Sequence, residues 1–152
     1  MLTLLQISIF LSYIVYILYT FKKPLPSISD SYYQLDGYKS NLFVAFIWAL
    51  GITMTQQEPS LLFFFSGVAL SFVGAACMFK WTSAGVHIVH YISAVSAILL
   101  ALVGLGIVNS MWLPLILWAV FTIIFKLLKI TNFLWWVEIL AFLLIIIGLL
   151  CR

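Results

Sequence analysis

The chain has 152 residues, of which 66% are hydrophobic and 7% charged. A soluble domain carries about 25% charged residues, so this composition cannot cover a globule with a water-facing surface, and a mean hydropathy of +1.26 makes the bilayer the solvent. The formal net charge of +3 comes from lysines at segment ends, with no basic patch interleaved with stacking aromatics, which excludes nucleic acid as a partner.

In chain order, the first apolar run, residues 2–21, is long enough to span a bilayer. It lacks the positive n-region and small-residue cleavage site of a signal peptide, so it reads as a retained first helix. Lys22-Lys23-Pro24 ends it, because Pro24 has no amide hydrogen with which to continue. A polar connector, 22–41, follows. It holds two of the four acids (Asp30 and Asp36) and three of the seven basic residues (Lys22, Lys23 and Lys39). The second apolar segment, 42–55, is short, with Ser40 or Asn41 as its N-cap. After the turn Gln56-Gln57-Glu58-Pro59-Ser60 come a third segment, 61–79, and a connector, 80–85. The fourth segment, 86–108, is broken by Asn109-Ser110. The fifth, 112–130, carries Pro114 in its first turn, where proline is tolerated. The sixth is 133–151, capped by Thr131-Asn132. Unpaired backbone groups are not tolerated in lipid. The reading is therefore an all-α polytopic membrane protein, a single domain over 1–152 with six transmembrane helices.

Six crossings place Lys22, Lys23, Lys39, Lys80, Lys126 and Lys129 on the odd connectors, against Arg152 and the N-terminal amine on the other side. The positive-inside rule then predicts cytoplasmic odd connectors and both termini outside. Small residues mark helix contacts: Gly67, Ser71 and Gly74/Ala75 on the third segment, and Ser93/Ala94, Ala97, Ala101 and Gly104 on the fourth. These two segments are expected to pack together.

Nearly every ionisable group converges on one end of this bundle. His87 and His90 share a face in the first turns of the fourth segment, and that face continues through Ala94, Ala97 and Ala101. Glu138 lies roughly 8–9 Å into the sixth segment at ~1.5 Å per residue. A carboxylate at that depth is costly and needs a partner; Lys80, His87, His90, Tyr32 and Tyr33 are the candidates. In the connector, Ser27, Ser29, Asp30, Ser31, Tyr32 and Tyr33 can lie back into the bundle mouth. Together these nine residues form the expected ligand site. Imidazole and carboxylate are also zinc ligands, so His87, His90, Asp30 and Glu138 are the candidate metal set, although an HxxH spacing alone is weak. Cys77 and Cys151 read as small buried hydrophobes. Trp81, Trp112, Trp135 and Trp136 read as interface anchors, and Lys126 and Lys129 as side chains reaching back to water.

The run Pro26-Ser27-Ile28-Ser29-Asp30-Ser31-Tyr32-Tyr33, followed by a later helix with His90-Tyr91-Ile92-Ser93-Ala94, is similar to a group of small uncharacterised six-helix membrane proteins. More distantly it resembles the DRAM/Frag type. The resemblance covers about residues 26–94. It implies six helices, a shared site between the first connector and the fourth helix, and a non-cytoplasmic first connector, opposite to the lysine count. His87-x-x-His90 with Ser93-Ala94 also resembles ceramidase- and progestin/adiponectin-receptor-like membrane hydrolases. Those proteins use three histidines where this chain has two, so Asp30 or Glu138 would complete the set. The function read from this is non-enzymatic binding of a small polar or lipid-headgroup ligand in a homo-oligomerising, lipid-embedded sensor. The alternatives are a zinc-dependent lipid hydrolase and a channel or transporter formed by an oligomer.

Overall fold

The structure, a computed structural model, describes residues 1–57, 60–79 and 84–151. Glu58, Pro59, Lys80, Trp81 and Arg152 lie outside the described residues. In chain order the elements are α1 (Leu2–Phe21), α2 (Asp30–Gln34), a 3-10 turn (Gly37–Ser40), α3 (Asn41–Thr55), α4 (Leu61–Met78), α5 (Ala84–Asn109), α6 (Leu113–Leu127) and α7 (Phe133–Leu150). The fold is all-α, and each apolar segment read from the sequence forms a helix. The polar connector is not an open loop: it folds into α2 and the 3-10 turn.

Helices α1, α4, α5 and α7 are long and apolar enough to cross a membrane. Helices α3 and α6 have 15 residues each, which at ~1.5 Å per residue reach about 22 Å of a hydrocarbon core about 30 Å thick. Helix α6 stops before the expected boundary because Lys129 adopts a left-handed φ of 51°. The Ile130 amide then donates to Phe125 O and the Lys129 amide to Lys126 O, the paired bonds of a Schellman stop. Helix α1 ends in the same left-handed manner at Lys22, whose amide donates to Leu18 O.

Helices α1, α3, α4, α5 and α7 form a closed ring by successive packing, with α6 outside it against α5 and α7. At one end the core is aromatic: Tyr13 stacks on Phe46 with centroids 4.1 Å apart, flanked by Phe10, Phe43 and Ile17. At the other end Phe63, Leu102, Leu105 and Leu149 fill the space. Large apolar side chains also face outward, among them Val15, Ile52, Phe72, Ile92 and Ile123. Lipid solvates such a surface without the penalty water would impose.

The small residues of α4 serve a different neighbour from the one expected. A Cβ on Gly67 would run into Gly51 O and Thr55 of α3, and one on Gly74 would meet Trp48 at 2.8 Å. The glycine face of α4 therefore lies against α3, with Gly51 as its unforeseen counterpart. Contact with α5 uses another face, where the Ser66 hydroxyl donates to Ala97 O at 2.7 Å and Phe63 covers Gly104. Trp135 is not an interface anchor: it is 2% exposed and part of the core, whereas Trp112 and Trp136 are exposed.

Candidate functional site

The connector lies along the start of α7 as a strap. Pro24 and Pro26 have no amide hydrogens and present carbonyls only, while the first turn of a helix has amide donors without helical partners. The two deficits meet. The Trp135 amide donates to Pro26 O at 3.1 Å, and the Asn132 side chain, at the left-handed N-cap of α7, donates to Pro24 O at 3.1 Å. One turn further into α7, the Ile28 amide donates to Glu138 Oε2 at 2.7 Å. A backbone donor, absent from the side-chain candidates, is thus the partner of the half-buried carboxylate. Among the described residues, Glu138 Oε1 accepts no hydrogen bond.

Beyond Ile28 the chain turns through a Ser-x-x-Asp element. The Ser27 hydroxyl donates to Asp30 Oδ2 at 2.8 Å and accepts the Asp30 amide at 3.2 Å. Short polar side chains stabilise such turns because they bond their own backbone two or three residues on. Ser31 donates to Ile28 O at 2.6 Å and its hydroxyl lies 2.6 Å from that of Tyr13, which pins the base of α2 to α1. Ser29 lies 3.0 Å from Ser27 and 3.2 Å from His90 Nε2, and His90 Nδ1 in turn is 3.5 Å from Cys77 Sγ. A continuous polar chain therefore runs from Cys77 of α4 through His90 of α5 to the connector. Cys77 is fully buried, as its apolar setting suggested. Its alignment with His90 was not legible, since nothing in the sequence relates position 77 of one helix to position 90 of the next.

The strap roofs a cavity of about 30 Å³ lined by Ile28, Ser29, Phe43, Ile47, His90 and Glu138, among others. A water-sized group needs roughly 10–15 Å³ by this measure, so the cavity has room for two or three such groups while the strap is seated. Ser27, Ser29, Asp30, Ser31, His90 and Glu138 come together here. Tyr32 is buried in an aromatic cluster, edge-on to Tyr33 and Phe43. Tyr33 is half-buried at the rim, and desolvation holds its phenol above the ordinary tyrosine range. His87 is exposed and does not line the cavity, although His90 is only 3% exposed.

The four residues expected to ligate zinc do not form a ligand set, although Asp30, His90 and Glu138 lie at the same end of the bundle. Among the described residues no group of three or more His, Cys, Asp or Glu side chains is placed to hold a metal ion. Glu138 is turned to the Ile28 amide, Asp30 to Ser27, and His87 outward. At the opposite end of the bundle, Gln57 Nε2 donates to Gln6 Oε1 at 3.1 Å with both residues 2% exposed, a buried polar pair that no sequence pattern announced. Scans of protein-family models, curated proteins and solved structures found no match to this chain.

Proposed function

We propose that this chain is an integral membrane protein of sensor type, crossing the bilayer six times, that binds a small polar or lipid-headgroup ligand where the connector meets α5 and α7. The single observation that supports this reading is the Ile28–Glu138 bond at the edge of the Ser29–His90 cavity. A carboxyl acceptor half-buried in a lipid-embedded bundle marks a functional position by default. Here its one bonded oxygen holds a backbone segment rather than a packing partner. A ligand carrying hydrogen-bond donors competes with the Ile28 amide for the carboxylate, and its binding loosens the strap. Binding thereby becomes movement of the connector, with no covalent bond made or broken.

The polar loops of the odd connectors face the cytoplasm in this reading, as their lysines favour. The chain's likeness to the small six-helix and DRAM/Frag-type proteins is part of the same proposal for the fold, with the lysine count preferred for orientation.

Native mass spectrometry of protein released from nanodiscs tests the site. A small-molecule adduct is expected on the wild type and on Lys129→Ala, and is expected to be lost from Glu138→Gln and His90→Ala. Equal retention by all four proteins would sink the reading.

A further inference from the structure

A second concavity lies outside the strap, between α2 and the 3-10 turn. It measures about 280 Å³ and is lined by Tyr32, Tyr33, Leu35, Asp36, Gly37 and Ser40, many times the roughly 10–15 Å³ that one water-sized group needs. Its chemistry is one-sided. Tyr32 and Tyr33 lie edge to face with centroids 5.2 Å apart, Tyr32 only 6% exposed and Tyr33 half-buried. Asp36 is exposed and, among the described residues, its carboxylate makes no ion pair. Ser40 Oγ is turned to Gly37 O at 2.8 Å, so it closes the turn and leaves its lone pairs as acceptors. Among the described residues, no basic side chain lines the hollow. Gly37, at φ +56° with nothing within 4 Å of a Cβ placed on it, keeps its wall open. Lys39 is exposed on the adjoining turn.

A carboxylate beside aromatic side chains is a setting that takes a quaternary ammonium group. The ring faces attract the delocalised positive charge, and the methyl groups need no hydrogen-bond acceptors. A neighbouring lysine outside the hollow suits a phosphate attached to that cation. The element is part of the polar connector at the end of the bundle, where headgroups lie.

We propose that this pocket binds the trimethylammonium group of a choline-type headgroup. The inference needs only the membrane-embedded reading of the chain, and it stands whether or not the Glu138 cavity takes a ligand.

The test uses full-length protein in maltoside micelles, titrated calorimetrically with phosphocholine, choline, dihexanoylphosphatidylcholine, phosphoethanolamine and inorganic phosphate. Saturable binding of the three trimethylammonium compounds is expected, with phosphoethanolamine weaker and phosphate not bound. Tightest binding of the short-chain lipid identifies a membrane headgroup as the source, whereas choline binding as tightly identifies the free cation; both support the pocket. Asp36→Asn is expected to weaken phosphocholine roughly two- to fivefold, as removal of an exposed charge pairing does. Tyr33→Leu is expected to weaken it about two- to fivefold and Tyr33→Phe to leave it unchanged, since phenylalanine keeps the ring face. Thermal melts of each variant separate lost binding from lost fold. Three results would overturn the proposal: phosphate or phosphoethanolamine binding as well as phosphocholine, Asp36→Asn behaving as wild type, or no saturable binding. Loss of binding in Glu138→Gln with Asp36→Asn intact would also overturn it, and would move the ligand to the roofed cavity instead.

Discussion

Replacing Glu138 by alanine removes the acceptor that holds the Ile28 amide at 2.7 Å. A hydrogen bond to a charged group contributes about 1.5–3 kcal/mol, and a buried donor left without a partner carries its own desolvation cost. Ile28 is 2% exposed, so bulk water cannot take over at the surface. The adjoining cavity of about 30 Å³ can admit a bridging water, which places the loss at the lower end, about 1.5–2 kcal/mol. The remaining strap bonds, Trp135 to Pro26 and Asn132 to Pro24, are untouched, so the expected event is local opening rather than unfolding. With tenfold for every 1.4 kcal/mol, amide exchange over residues 24–34 should accelerate roughly 10- to 30-fold. Glu138→Gln keeps an oxygen acceptor and loses the charge; its cost is about 1 kcal/mol, or about fivefold faster exchange. Hydrogen–deuterium exchange by mass spectrometry in nanodiscs measures both. Unchanged exchange in Glu138→Ala, or equal acceleration in Lys129→Ala, would refute the strap.

Gly67→Ala should destabilise the protein by about 1–3 kcal/mol through overpacking, because the new Cβ meets α3 backbone at Gly51 and Thr55. Gly37→Ala meets open space and only the left-handed φ, about 1 kcal/mol. Thermal unfolding in detergent ranks the two, and the reverse order would contradict the packing described. Ser66→Ala removes the bond to Ala97 O and should cost about 0.6 kcal/mol, the typical value for a hydrogen bond between transmembrane helices; a double-mutant-free melt resolving more than about 2 kcal/mol would show that the helix pair relies on it far more heavily. Cys151 is exposed and Cys77 buried, so a membrane-impermeant maleimide reports on the C-terminus alone. Labelling in intact cells is expected if the termini are outside, and protection until lysis would reverse the proposed orientation.

Much of the architecture was legible from residue order. Lys22 before Pro24, Pro114 in a first turn, and Asn132 ahead of an apolar run mark helix ends by local backbone chemistry, and those ends stand where the chain suggested. The small residues were legible as contact points, and α4 and α5 do pack together with Ala97 and Gly104 of α5 against α4, but the stripe through Gly67 and Gly74 fits α3. At the site, His90 and Glu138 announced themselves as polar groups in apolar segments. The Ile28 amide and Cys77 did not, because a backbone donor carries no sequence signature and a cysteine among apolar residues reads as filler.

Composition and segment length alone determined that this chain is a helical, lipid-embedded bundle with its polar groups gathered in a few short stretches. Only the tertiary structure decided which way each helix is turned: His90 inward and His87 outward, Trp135 buried beside an exposed Trp136. The physical reason lies in the solvent. In water the outward face of a helix must be polar, so periodicity reveals rotation. In lipid both faces can be equally apolar, and rotation is set by close approach at glycines and by hydrogen bonds between distant residues, neither of which local sequence records.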